Sequence, residues 1–178
     1  MAGPYNKRMP FAPLRFDLPD AQATEAMGSA LARAFPGPQH GAVVHLLGEL
    51  GSGKTTCARS LLHALGVTAT VRSPTYTLVD TYSVGGLTCV HVDLYRLQTL
   101  HEVDELGLRD LLGPGFLMLI EWPEKGGSAV PPADLKLQLT YAGDARAAVA
   151  SGDTDTGTRW LSKLAIDTSL KGYVSNLA

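Results

Sequence analysis

Gly48-Glu49-Leu50-Gly51-Ser52-Gly53-Lys54-Thr55-Thr56 stands between an apolar run, AVVHLL (Ala42–Leu47), and CARSLLHALG (Cys57–Gly66). The run before it reads as a central strand. Lys54–Leu65 reads as a helix, with Gly66 just past its end. A chain that places glycines, a lysine and two threonines at such a junction is built to hold an anion. Successive backbone N–H groups must point inward around a phosphate chain, and side chains there would block its approach. The free N–H groups and dipole of the following helix favour negative charge. Gly48 to Thr55 fits GxxxxGK[ST] without a gap. In that motif Lys54 brings a mobile positive charge to the β- and γ-phosphates, and the Thr55 hydroxyl is a Mg²⁺ ligand. Gly51, Ser52 and Gly53 form the cradle. Thr56 is a further phosphate contact or a plain helix residue.

A phosphate loop that hydrolyses needs a second acid for the metal and a group that senses the terminal phosphate. Two apolar strands end in acids: LTCVHVD in Asp93 and FLMLIE in Glu121. Both are candidates, and the sequence leaves open which ligates the metal and which positions water. SPTYT (Ser73–Thr77) is a hydroxyl-rich loop whose Thr75 suits a switch, or an ordinary lead into a strand. Trp122, after Glu121, is either core or a shield over the nucleotide. His91 and His101 stand alone and read as packing or surface residues.

Along the chain, LRFDL (Leu14–Leu18) alternates as a strand, and Asp20 caps a helix over AQATEAMGSALARAF. Thr77–Val84 and Leu87–Tyr95 flank Gly85-Gly86 as a hairpin. His101–Leu112 reads as a helix. Phe116–Trp122 is nearly all apolar, the mark of a strand covered on both faces. Asp134–Tyr141 alternates strictly, with Arg146–Ala150 as its hairpin partner. Residues 1–13, rich in proline and glycine, read as a poorly ordered extension. Ser151–Thr158 reads as a linker into a C-terminal tail ending at 178. The expected fold is α/β of the P-loop NTPase kind: a mostly parallel central sheet flanked by helices, with antiparallel hairpins added, over residues 14–150.

The 178 residues carry 15 basic and 17 acidic side chains, a formal charge of −2. That balance lacks the basic excess of a direct nucleic-acid binder. Cys57 and Cys89 lie in no CxxC or Cys/His cluster and read as buried hydrophobes. MAGPYNKRMPFAPLRF has no apolar core of secretory type, and no apolar run reaches membrane-spanning length. A cytoplasmic protein without membrane partners is expected. Guanine-reading [NT]KxD is absent from the sequence. The scattered Arg59, Arg72, Arg96 and Arg109 do not form the arginine-rich lid of a small-molecule kinase. A kinase and a nucleotide-sensing module that never turns ATP over remain the rival classes.

GELGSGKTT, RSPTYTLVDTY (Arg72–Tyr82), HVDLYRL (His91–Leu97), DELGLRD (Asp104–Asp110) and LIEWPEKG (Leu119–Gly126) follow one another at short spacings. Together they resemble the TsaE (YjeE) family of bacterial P-loop ATPases. The resemblance implies weak ATP/ADP binding and hydrolysis with Mg²⁺ in the making of threonylcarbamoyladenosine in tRNA. It implies a heteromeric complex with TsaD-like and TsaB-like partners, through which tRNA is met indirectly. It assigns Lys54, Thr75, Asp93 and Glu121 to catalysis, and Thr55 with Glu121 to the metal. Gly51 to Thr56, Trp122 and Arg146 fall on the nucleotide. The helix entry at Ala21 meets the adenine through its backbone.

Overall fold

The computed structural model describes residues 11–39 and 41–175. The extension expected over residues 1–13 lies, up to residue 10, outside the described residues. Seven strands form one sheet: β1 Leu14–Leu18, β2 Ala42–Leu47, β3 Val79–Val84, β4 Leu87–Asp93, β5 Phe116–Glu121, β6 Leu135–Ala142 and β7 Ala145–Ser151. Their order across the sheet is β1-β7-β6-β2-β5-β4-β3. The middle four are parallel: β6 with β2, β2 with β5, β5 with β4. Antiparallel pairs close both sides, β1–β7–β6 on one and β4–β3 on the other. The expected parallel centre with hairpin additions describes this sheet, although its six pairings divide evenly.

Among the described residues four α-helices accompany it: α1 Ala21–Ala34, α2 Lys54–Leu65, α3 Leu100–Glu105 and α4 Asp155–Leu164. Asp20 caps α1 by accepting the Ala23 N–H at 2.7 Å. Gly66, at φ +109°, ends α2 in the left-handed conformation that spares glycine a Cβ penalty. The helix expected over His101–Leu112 is shorter. It stops after Glu105, and Leu108–Leu111 follow as a 3₁₀ turn, because Gly107 takes φ +59° between them.

The core has two layers, one on each face of the sheet. Strand alternation sorts β5 between them: Leu117 and Leu119 pack with α1, α2 and α4, while Met118 and Ile120 pack on the α3 side. All four are buried, as a strand covered on both faces requires. On the first face α1 and α2 pack tightly. A Cβ at Gly28 would sit 2.3 Å from the Cys57 carbonyl oxygen, so only glycine admits that approach. Cys57 and Cys89 are both free and buried, and desolvation pushes their thiols up to about 12 and about 11. Among the described residues no helix is long and apolar enough to cross a membrane.

The linker expected over Ser151–Thr158 is overturned. Ser151 ends β7, Thr154 caps α4 by accepting the Gly157 N–H, and Asp155–Thr158 already form its first turn. Cap residues share their composition with loops, and that is why the stretch reads as one. Trp160, Leu161, Leu164 and Leu170 then join the first core layer. The chain returns along β1, where Asp17 N–H donates to the Tyr173 carbonyl and Ser175 N–H to that of Arg15.

Arg33 on α1 holds the turn after α4, donating to both carboxylate oxygens of Asp167 at 2.9 and 3.1 Å. The guanidinium, with the Ser169 hydroxyl and N–H, holds Asp167 below its ordinary value of 3.8, against burial. A carboxylate lowered in the fold adds stability above its unfolded pKa and loses it as pH falls through the folded one. Arg33 is half exposed, so solvent screens the pair. Asp167→Asn is expected to cost about 0.5–1 kcal/mol at pH 7. Denaturant titrations at several pH values should find that difference shrinking as pH drops below 3.8.

Candidate functional site

The parallel centre aligns three strand ends. Glu121 at the end of β5 lies opposite Leu46 of β2 on one side and Asp93 of β4 on the other. The carboxyl ends of adjacent parallel strands are where open α/β sheets bind ligands. The loop Gly48–Gly53 leaves β2 at that edge and runs straight into α2.

Glycine is required along this loop. Gly48, at φ +138°, would set a Cβ 2.2 Å from the Leu139 carbonyl oxygen. Gly53, at φ +105°, is the cap of α2 and offers no side-chain acceptor, so the first N–H groups of the helix stay open to a ligand. The Ser52 hydroxyl is fully buried and has no partner among the described residues. A glycine-rich loop with an unpaired buried hydroxyl and an uncapped helix start fits a phosphate chain. Lys54 Nζ donates to the carbonyls of Gly48 and Glu49 at 2.7 and 2.8 Å, and lies 4.0 Å from the Trp122 ring centre. Burial lowers its pKa, and the charges of Glu121, Asp93 and Glu124 oppose that shift.

Two acids face this loop, each held differently. Glu121 is buried; its Oε2 accepts from Thr55 Oγ1 at 2.9 Å and its Oε1 from His91 Nε2 at 2.9 Å. Asp93 accepts from Thr75 Oγ1 at 3.1 Å, from the Ser73 hydroxyl, and from the Tyr95 N–H at 2.9 Å. The SPTYT loop is thereby tied to the end of β4. Lys54, Thr55, Thr75, Asp93, Glu121 and Trp122 line one cleft of about 260 Å³. Ala21, Gly51, Gly53, Thr56 and Arg146 line a second recess of about 150 Å³ on the other side of the loop. Apart from the buried Ser52, the expected site residues thus line two spaces that share Gly51, Gly53 and Thr56.

Among the described residues two besides glycines take left-handed backbone, Leu78 at φ +64° and Trp122 at φ +59°. Trp122 lines the cleft, and strain of this kind gathers in functional sites. The turn at Trp122 lays its ring against Lys54 and, at 5.0 Å, against Tyr95. Trp122 also packs on the second core layer, so the shield and core readings describe the same ring.

Several residues at the site were not readable from the sequence. His91, read as a packing or surface residue, is fully buried and bonded to Glu121. Ser73 joins Thr75 on Asp93, and the hydroxyl-rich SPTYT stretch was its only signal. Tyr141 Oη donates to the Leu50 carbonyl at 2.8 Å, and Arg146, stacked on that ring at 4.2 Å, donates to the Gly51 carbonyl at 3.3 Å. The β6–β7 hairpin therefore grips the outside of the loop, which nothing in a strictly alternating strand announces.

The family model for "Threonylcarbamoyl adenosine biosynthesis protein TsaE" matches residues 18–148. The chain belongs to the TsaE family. Among curated relatives, the tRNA threonylcarbamoyladenosine biosynthesis protein TsaE of Haemophilus influenzae is 41% identical over 120 residues, 67% of this chain and 76% of that one. Its namesake in Bacillus subtilis is 34% identical over 131 residues, 74% and 80% of the two chains. The crystal structure of Bacillus subtilis YdiB superposes with a TM-score of 0.71 at 28% identity, covering 89% of this TsaE-family chain and 97% of that one. The family match takes in both clefts: Lys54, Asp93, Glu121 and Arg146 all fall within it.

Proposed function

We propose that this chain is a Mg²⁺-dependent ATPase serving the synthesis of threonylcarbamoyladenosine in tRNA, together with a TsaB–TsaD type complex. The relatives carry the pathway in their names. The observation that supports the enzymatic half is the meeting of the Lys54–Thr55 loop with two strand-end acids and a hydroxyl-bearing loop in one cleft.

In this reading the triphosphate lies along Gly51–Thr56. Lys54 exchanges its two backbone carbonyls for phosphate oxygens, which lets the loop close on the substrate. The adenosine end falls into the recess beside Ala21 and Arg146. The donors around the phosphate edge are hydroxyl and carboxylate oxygens of Thr55, Glu121, Thr75 and Asp93, a hard set that suits Mg²⁺. Among the described residues no three His, Cys, Asp or Glu side chains converge as a ready metal cage. Mg²⁺ in phosphoryl transfer needs none, since one or two carboxylates and the phosphates suffice. Bound there, it would neutralise charge developing on the phosphates. Thr55 and Glu121 would hold it, and Asp93, with Ser73 and Thr75, would tie the switch-like loop to the terminal phosphate.

Among the described residues Lys54 is the one cationic side chain that lines this cleft. Hydrolysis by the chain alone is therefore slow, and a partner completes the site. Phosphate release from Mg·ATP, followed with and without purified TsaB–TsaD pair, tests this. Faster release with the pair is expected. An unchanged rate would defeat partner gating, and no ATP uptake by calorimetry would defeat the ATPase itself.

A further inference from the structure

We propose that His91 is a positioning residue for Glu121, fixing the orientation in which that carboxylate meets Mg²⁺ and nucleotide; this deepens the ATPase reading and rests on it. His91 and Asp93 lie two apart on β4, so both face the α2 side of the sheet, as does Glu121 across the parallel register. His91 is 0% and Glu121 2% exposed. An ionised carboxylate only accepts, so the 2.9 Å contact is an Nε2–H donated to Oε1. Oε2 takes the Thr55 hydroxyl, also at 2.9 Å.

The two bonds differ in what they can do. Thr55 is itself in the phosphate loop and exchanges partners when substrate and metal arrive. His91 is locked in the sheet beneath, and its Nδ1 has no partner among the described residues. Its bond to Glu121 is therefore the ring's one polar anchor. It holds Oε1 back and leaves Oε2 as the oxygen directed at Thr55 and the cleft. Cys57 and Leu119 are buried on the same face. Outer partners that orient a metal-binding carboxylate commonly matter by 10–100-fold in affinity or activity.

The test compares His91→Met with His91→Gln, two unbranched side chains of similar size of which only the second keeps a donor. ADP affinity is measured by calorimetry with and without Mg²⁺, beside kcat and KM for ATP and the thermal melt. His91→Met is expected to lose the Mg²⁺-dependent gain in ADP affinity and to lower kcat by about 10–100-fold, with ADP affinity in chelator unchanged. His91→Gln is expected to keep most of both. Equal Mg²⁺-dependent gains in the two variants and the parent would overturn the proposal, as would losses in both that merely follow the melting temperature. If His91→Met fails to fold, His91→Gln decides alone: loss of the Mg²⁺-dependent gain in a folded variant overturns it, and retention supports it. A parent protein that takes up no Mg·ADP overturns the ATPase reading and this inference with it, an outcome distinct from failure of the variants alone.

Discussion

Lys54→Met is expected to weaken ATP and ADP binding at least tenfold while leaving the melting temperature nearly unchanged. The two halves of that expectation have separate causes. In the proposed nucleotide complex Lys54 would make charge-assisted hydrogen bonds to phosphate, worth about 1.5–3 kcal/mol, and 1.4 kcal/mol is a factor of ten. In the free protein the same ammonium is a cost. It is only 4% exposed, and burial lowers its pKa against the pull of Glu121, Asp93 and Glu124. Methionine keeps the apolar stem against Trp122 and removes the charge. It frees the carbonyls of Gly48, which is half-buried, and Glu49, which is exposed, so water can replace the lost donor. Calorimetric titration with Mg·ADP and a thermal melt measure the two quantities. Affinity within threefold of the parent would mean that phosphate does not sit on this loop. A collapse of the melt would mean that Lys54 is structural.

What could be read in advance follows from where the information lies. The edges of β2 and α2 were readable because an apolar run, a glycine cradle and a glycine stop are all local signals. So was the two-sided burial of β5, since only a strand flanked by both layers is apolar at every position. Function-bearing neighbours are a different matter. His91 meets Glu121 only because β4 and β5 are adjacent and in parallel register, and no local pattern encodes register between strands 30 residues apart. The same holds for Tyr141, which reaches the loop from a hairpin that begins more than 80 residues downstream; Arg146 beside it was assigned only through the family resemblance. Asp93 and Glu121 escaped this limit, because an acid ending an apolar strand marks the ligand edge wherever the strand lies in a parallel sheet. Ser151–Thr158 failed for the opposite reason. Its local signal was strong but shared by two structures, a linker and a helix cap.

That last misreading carries the largest stability prediction. Trp160→Ala is expected to cost about 3–5 kcal/mol, the range for deleting a fully buried large aromatic. The indole is 0% exposed and packs against Phe35 with ring centres 5.1 Å apart. Its Nε1–H donates at 2.9 Å to the carbonyl of Leu31. Leu31 lies in the last turn of α1, where carbonyls have no partner within the helix and must find one elsewhere. Alanine would therefore leave both a cavity and an unsatisfied buried oxygen, two penalties that add. Because α1 packs on α2, which opens with the phosphate loop, loosening this end threatens the site from behind. Urea unfolding followed by circular dichroism gives the cost directly. A loss under 1 kcal/mol with a single cooperative transition would return residues 155–170 to the status of a dispensable tail. A loss in the expected range makes them part of the fold that holds the loop, although the family match itself ends at residue 148.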